Sequence, residues 1–117
     1  MIFAVFDDCE CTKRVSGLTQ WDYGQDLKIQ GISGLKNTEV HFAADGSSTA
    51  LIQMAAVSED GTLTVRIPDE LLEYGRTIRA YVYVTDADSG ETVRTVEMPV
   101  TRRPKPEDYT APAERNL

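Results

Sequence analysis

Thr77–Thr85 reads TIRAYVYVT and, after Asp86-Ala87-Asp88-Ser89-Gly90, Glu91–Thr101 reads ETVRTVEMPVT. In the first stretch Ile78, Ala80, Val82 and Val84 alternate with Arg79, Tyr81 and Tyr83. Successive side chains leave a pleated backbone on opposite sides, so this spacing describes a strand with one apolar face. The Asp-Ser-Gly run between the stretches is turn chemistry, and the pair reads as a hairpin. In the return strand Val96, Met98 and Val100 fall on the inward face. Pro99 has no N–H to donate, which predicts that this strand lies at an edge or carries a bulge.

The same unit repeats outward from the hairpin. Residues 2–6 are an apolar strand candidate. In Gln25–Ile32, Leu27, Ile29 and Gly31 share a face opposite Lys28 and Gln30. Thr38–Ala44 alternates Thr38, Val40 and Phe42 with Glu39, His41 and Ala43, and Asp45-Gly46-Ser47-Ser48 turns the chain. Thr49–Val57 is a further apolar stretch, and Thr62–Ile67 points Leu63, Val65 and Ile67 inward. Pro68–Gly75 is the one helical piece: proline in the first turn, early acids and a terminal glycine suit about one and a half turns. Seven strand candidates separated by polar turns predict an all-β fold: an immunoglobulin-like antiparallel β-sandwich with one short helix between two strands. A small barrel is the alternative.

Composition sets the limits. The 117 residues suffice for one domain, expected over 1–101, with 102–117 a Pro-rich extended linker or tail. The net charge of −7 argues against a nucleic-acid binder, which needs a basic face for phosphates. Four cations and three carboxylates follow Val100, so the acidity belongs to the first 100 residues. The longest apolar run, Ile2–Phe6, is far too short to span a membrane, and Asp7-Asp8 follow it with no cationic stretch before it. No signal peptide and no membrane association are expected. Cys9 and Cys11, separated only by Glu10, read as two reduced thiols.

The residues for catalysis are lacking. His41 is the only histidine, and no phosphate-binding, zinc or redox motif is present, so no enzyme, cofactor or metal is expected. Asp86–Glu91 resembles the start of a calcium loop, but Gly90 stands where a third oxygen ligand belongs, and a hairpin turn is the better reading. Three features suggest contacts instead. Ile2, Phe3, Val5 and Phe6 make a strand apolar on both faces, which either enters the core or pairs with another chain. Tyr81 and Tyr83 lie opposite their strand's core set, either as a contact patch or beside the stems of Arg79 and Arg94. Trp21 and Tyr23 read as a domain-end anchor or, alternatively, as the rings of a carbohydrate-binding accessory module.

Five stretches in order, WDYGQDLKIQGI (Trp21–Ile32), TEVHFAADGSSTA (Thr38–Ala50), DGTLTVRIPDELLEYGRTIRAYVYV (Asp60–Val84), SGETVRTVEMPV (Ser89–Val100) and RRPKPEDY (Arg102–Tyr109), resemble the N-terminal module of bacteriophage and prophage baseplate or tail-fibre-like proteins of Gram-positive bacteria. The resemblance implies a virion structural module assembled in the bacterial cytoplasm. Its partners would be other phage tail or baseplate proteins, with a homo-oligomer possible, and Arg102–Tyr109 would lead toward a distal receptor-binding or fibrous region. It implies no catalytic residue.

Overall fold

The computed structural model of the chain describes residues 1–7, 9–32, 38–85 and 87–110. Eleven strands and one helix lie among them: β1 Ile2–Val5, β2 Thr12–Arg14, β3 Leu18–Thr19, β4 Asp26–Gln30, β5 Thr38–Ala44, β6 Leu51–Met54, β7 Ala56–Val57, β8 Leu63–Arg66, α1 Asp69–Leu72, β9 Ile78–Thr85, β10 Gly90–Met98 and β11 Val100–Thr101. A four-stranded sheet runs β1-β4-β8-β7, a five-stranded sheet runs β2-β10-β9-β5-β6, and β11 pairs with β3 in a small third sheet. The fold is an all-β sandwich.

The core is made by the alternation seen in the sequence. Ile2, Ala4, Leu27, Ile29, Leu63 and Val65 come from the four-stranded sheet, and Val40, Phe42, Ile78, Ala80, Val82, Val96 and Met98 from the five-stranded one. Facing positions complement each other in size. Phe42 and Val96 both lie opposite Ala80, and Ala44 and Met98 both lie opposite Ile78. Large against small fills the interlayer space without forcing rotamers. Pro68 opens α1, whose Leu71 and Leu72 close one end of the core.

Three expectations need correction, and of the edge or bulge expected for the Pro99 strand the structure has the bulge. The sheets are mixed: β1 runs parallel to β4, β2 to β10 and β3 to β11. Alternation tells which face a residue occupies, not which way its neighbour runs. Thr49–Val57 is two strands in different sheets, because the chain crosses between layers at Ala55, whose N–H donates to the Thr38 carbonyl at 3.3 Å. β10 is an interior strand, not an edge. Its register shift falls between Thr92 and Arg94, while Pro99 sits in the gap where the chain leaves for the third sheet and no ladder bond is needed. The shift also turns Arg94 away from the tyrosine face: it lies opposite inward-facing Val82, with its guanidinium 5.9 Å from the Phe6 ring centroid.

The turn between β7 and β8 carries the clearest electrostatic signature. Asp60 accepts hydrogen bonds from the Ser58 hydroxyl and from the Thr62 N–H. These bonds hold its carboxyl down at about 2 against the usual 3.8, the Ser58 hydroxyl contributing most. A lowered folded-state value means that this contribution to stability is fully present above pH 3.8 and lost as pH falls through about 2. A titration of Asp60 followed by NMR is expected to give a midpoint near 2, and Ser58→Ala should move it back toward 3.8.

Candidate functional site

The five-stranded sheet's outer face is the first candidate. Pairing sets Met54, Glu39 and Tyr83 in one row across β6, β5 and β9, and Ile52, His41 and Tyr81 in the next, so an apolar side chain and a tyrosine flank a polar one in each. Tyr83 stacks on His41 with ring centroids 4.6 Å apart and planes at 28°, and His41 Nε2 lies 2.9 Å from Glu39 Oε1. Gly90 leaves the space in which the Tyr83 ring lies, since a Cβ there would overlap it. Tyr81 and Tyr83 are therefore half-buried and fixed in position. The most exposed apolar side chains of this face are Ile52 and Met54, at 60% and 71%. The sequence shows them within Thr49–Val57, but without knowledge of the layer crossing their face could not be assigned.

The second candidate is the outer side of β1. Ile2 and Phe6, expected as contact residues, are core residues at 3% and 4% exposure, because β1 packs its even positions against the sandwich interior. Phe3 and Val5 remain on the surface together with Met1. β1 has β4 on one side and, among the described residues, no strand on the other.

The third candidate lies at the domain end, where the connector is fastened. Trp21 Nε1 donates to the Arg103 carbonyl at 3.1 Å, just before Pro104, and its ring meets Tyr109 edge-on at 5.1 Å. Lys105 Nζ lies 5.5 Å from the Trp21 ring centroid and 5.8 Å from that of Tyr109. Gln20 accepts from the Arg103 N–H and donates to the Glu73 carbonyl, and the Tyr109 hydroxyl donates to Glu73 Oε2 at 2.6 Å. Arg102 Nε donates to the Gly75 carbonyl. Residues 102–109 thus run along the domain, clasped to Trp21 and the end of α1. Residues 111–117 of the expected tail lie outside the described residues. Trp21 has φ +74°, a conformation that costs a non-glycine residue of order 1–3 kcal/mol and persists only where surrounding contacts fix it. Beside the clasp a cleft of about 460 Å³ is lined by Trp21, Tyr23, Pro106, Asp108, Tyr109 and Thr110. Tyr23 is 64% exposed. The sequence carries no signal that pairs the Trp21 and Tyr109 rings.

Elsewhere the chemistry is sparse. Cys9 and Cys11 are free and exposed. The described residues contain no group of three or more His, Cys, Asp or Glu placed to hold a metal ion, and Asp86 of the calcium-like turn lies outside them. Asp8 of the acidic N-terminal cluster also lies outside. Its neighbour Glu10 accepts from the Asp7 N–H at 2.9 Å and pairs with Lys13, which together lower its carboxyl below the usual range. No helix among the described residues is long and apolar enough to cross a membrane.

No protein-family model matches the chain, and no curated protein does. Among solved structures it is similar to the N-terminal domain of phage TP901-1 ORF48, with a TM-score of 0.51 at 14% identity. The match covers 85% of this chain and 96% of that one. At this identity the likeness establishes a shared fold.

Proposed function

We propose that the chain is a non-enzymatic structural module of a phage tail or baseplate, which holds a neighbouring tail component through protein–protein contacts. The observation that carries this reading is the likeness to a phage protein's N-terminal domain over 96% of that domain. Two exposed apolar surfaces support it. Ile52 and Met54 flank a rigid aromatic face, and Phe3 and Val5 line a strand that has no strand on one side among the described residues. Aromatic and methionine side chains held rigidly are typical of contact cores, and an unpaired apolar edge strand can accept a strand from a partner.

The test is co-expression of the chain with each tail protein encoded beside its gene, with the mass of purified species read by light scattering. A defined complex is expected with one of them. Ile52→Glu with Met54→Glu, or Phe3→Glu with Val5→Glu, should weaken it at least roughly tenfold while the circular dichroism stays unchanged, because a charge buried at a contact core is left unpaired. The pair that acts identifies the docking face. Failure of every neighbouring tail protein to bind would overturn the reading.

A further inference from the structure

The cleft at the domain end has the chemistry of a small-molecule site, and we propose that it binds a neutral saccharide. This inference stands apart from the docking role, since it uses neither sheet face. About 460 Å³ falls within the range of roughly 300–1,000 Å³ common for such sites. Its walls are aromatic: Trp21, Tyr23 and Tyr109, with Pro106 beside them. The polar tips of two of these rings are already engaged, Trp21 Nε1 by the Arg103 carbonyl and the Tyr109 hydroxyl by Glu73. Those contacts hold the rings in place rather than reach for a ligand.

The charges decide which ligand fits. Asp108 contributes a carboxylate to the lining, and among the described residues no hydrogen bond or ion pair engages it. An anion would meet that carboxylate in a strongly acidic domain. A cation would feel the charge of Lys105, which is not part of the lining but whose ammonium lies 5.5 and 5.8 Å from the Trp21 and Tyr109 ring centroids. A wholly apolar ligand would strip water from Asp108 and return no hydrogen bond. A sugar ring avoids all three penalties. Its C–H face can lie against an aromatic ring, and its hydroxyls can donate to Asp108 in the lining.

Trp21 is the only tryptophan, so its emission reports on the cleft directly. The full chain would be titrated with glucose, galactose, rhamnose, N-acetylglucosamine and their disaccharides to roughly 50 mM, well past millimolar dissociation constants. Amide shifts of Tyr23 and Tyr109 would be followed in parallel, with choline chloride and inorganic phosphate as charged controls. The expected result is a saturable response to at least one sugar. Tyr23→Ala, at an exposed position that leaves the fold intact, should weaken it roughly tenfold, as should Asp108→Ala. The proposal is overturned by the absence of any saturable sugar response, by saturation with choline or phosphate alone, or by sugar binding that neither substitution changes.

Discussion

Phe42→Ala is expected to cost about 3–5 kcal/mol of folding stability, the largest effect of any single truncation in the sandwich. Phe42 is fully buried at the middle of β5, and its strand neighbour across the ladder is Ala80. Alanine opposite phenylalanine is what lets the ring fit, and it also means that the neighbour has no atoms to move into the space left behind. Leu51, paired on the other side in β6, is an edge residue at 39% exposure, so the cavity would open toward water rather than close. A domain of this size has only about 5–15 kcal/mol in hand. Urea denaturation followed by tryptophan emission should show a much lower midpoint with an unchanged slope. Ile52→Ala, on the outer face of the same strand pair, should change stability by roughly 0.5 kcal/mol or less. Equal effects for the two would mean that the five-stranded sheet does not face the core as described.

Gly31→Ala is the second large effect, and its cause is different. Gly31 ends β4 with φ +92°, and a Cβ there would overlap the carbonyl of Phe6, a backbone atom that no rotamer change can move. The end of β1 would have to lift off β4. That breaks the bond from the Phe6 N–H to the Gln30 carbonyl at 2.9 Å and draws the buried Phe6 ring out from under Arg94. Gly61 supplies the control, since it too has a left-handed backbone, φ +86°, with nothing within 4 Å of the added carbon. Gly61→Ala should cost only the conformational strain, about 1–2 kcal/mol. Gly31→Ala should cost about 3 kcal/mol or more and raise amide exchange along β1. Matching losses would show that the close approach of β1 to β4 contributes nothing.

The elements that could be read from the sequence are those whose alternation is long and whose turns are chemically marked. Thr38–Ala44 and the hairpin strands were legible with nearly their final bounds, and so was the helix after Pro68. Residues 2–6 are apolar throughout, so the sequence shows a strand there but not that Ile2, Ala4 and Phe6 are the ones inside. β2 and β3 were not legible: Thr12-Lys13-Arg14 is polar, Leu18-Thr19 is too short to show a period, and both become strands only because β10 and β11 offer free edges. The Trp21–Tyr109 clasp was illegible for a related reason. Each ring stands alone in its own segment, and only the three-dimensional path brings them together.

Two of the three parallel pairings bear on how the chain comes off the ribosome. Thr12 pairs with Thr95, and Leu18 with Val100. β1 can meet β4 as soon as Gln30 has been made, whereas β2 and β3 must wait until β10 and β11 have been made. Loops of that length close slowly. The β9–β10 hairpin thus forms as a local unit, and β2, made long before it, is added to its sheet afterwards.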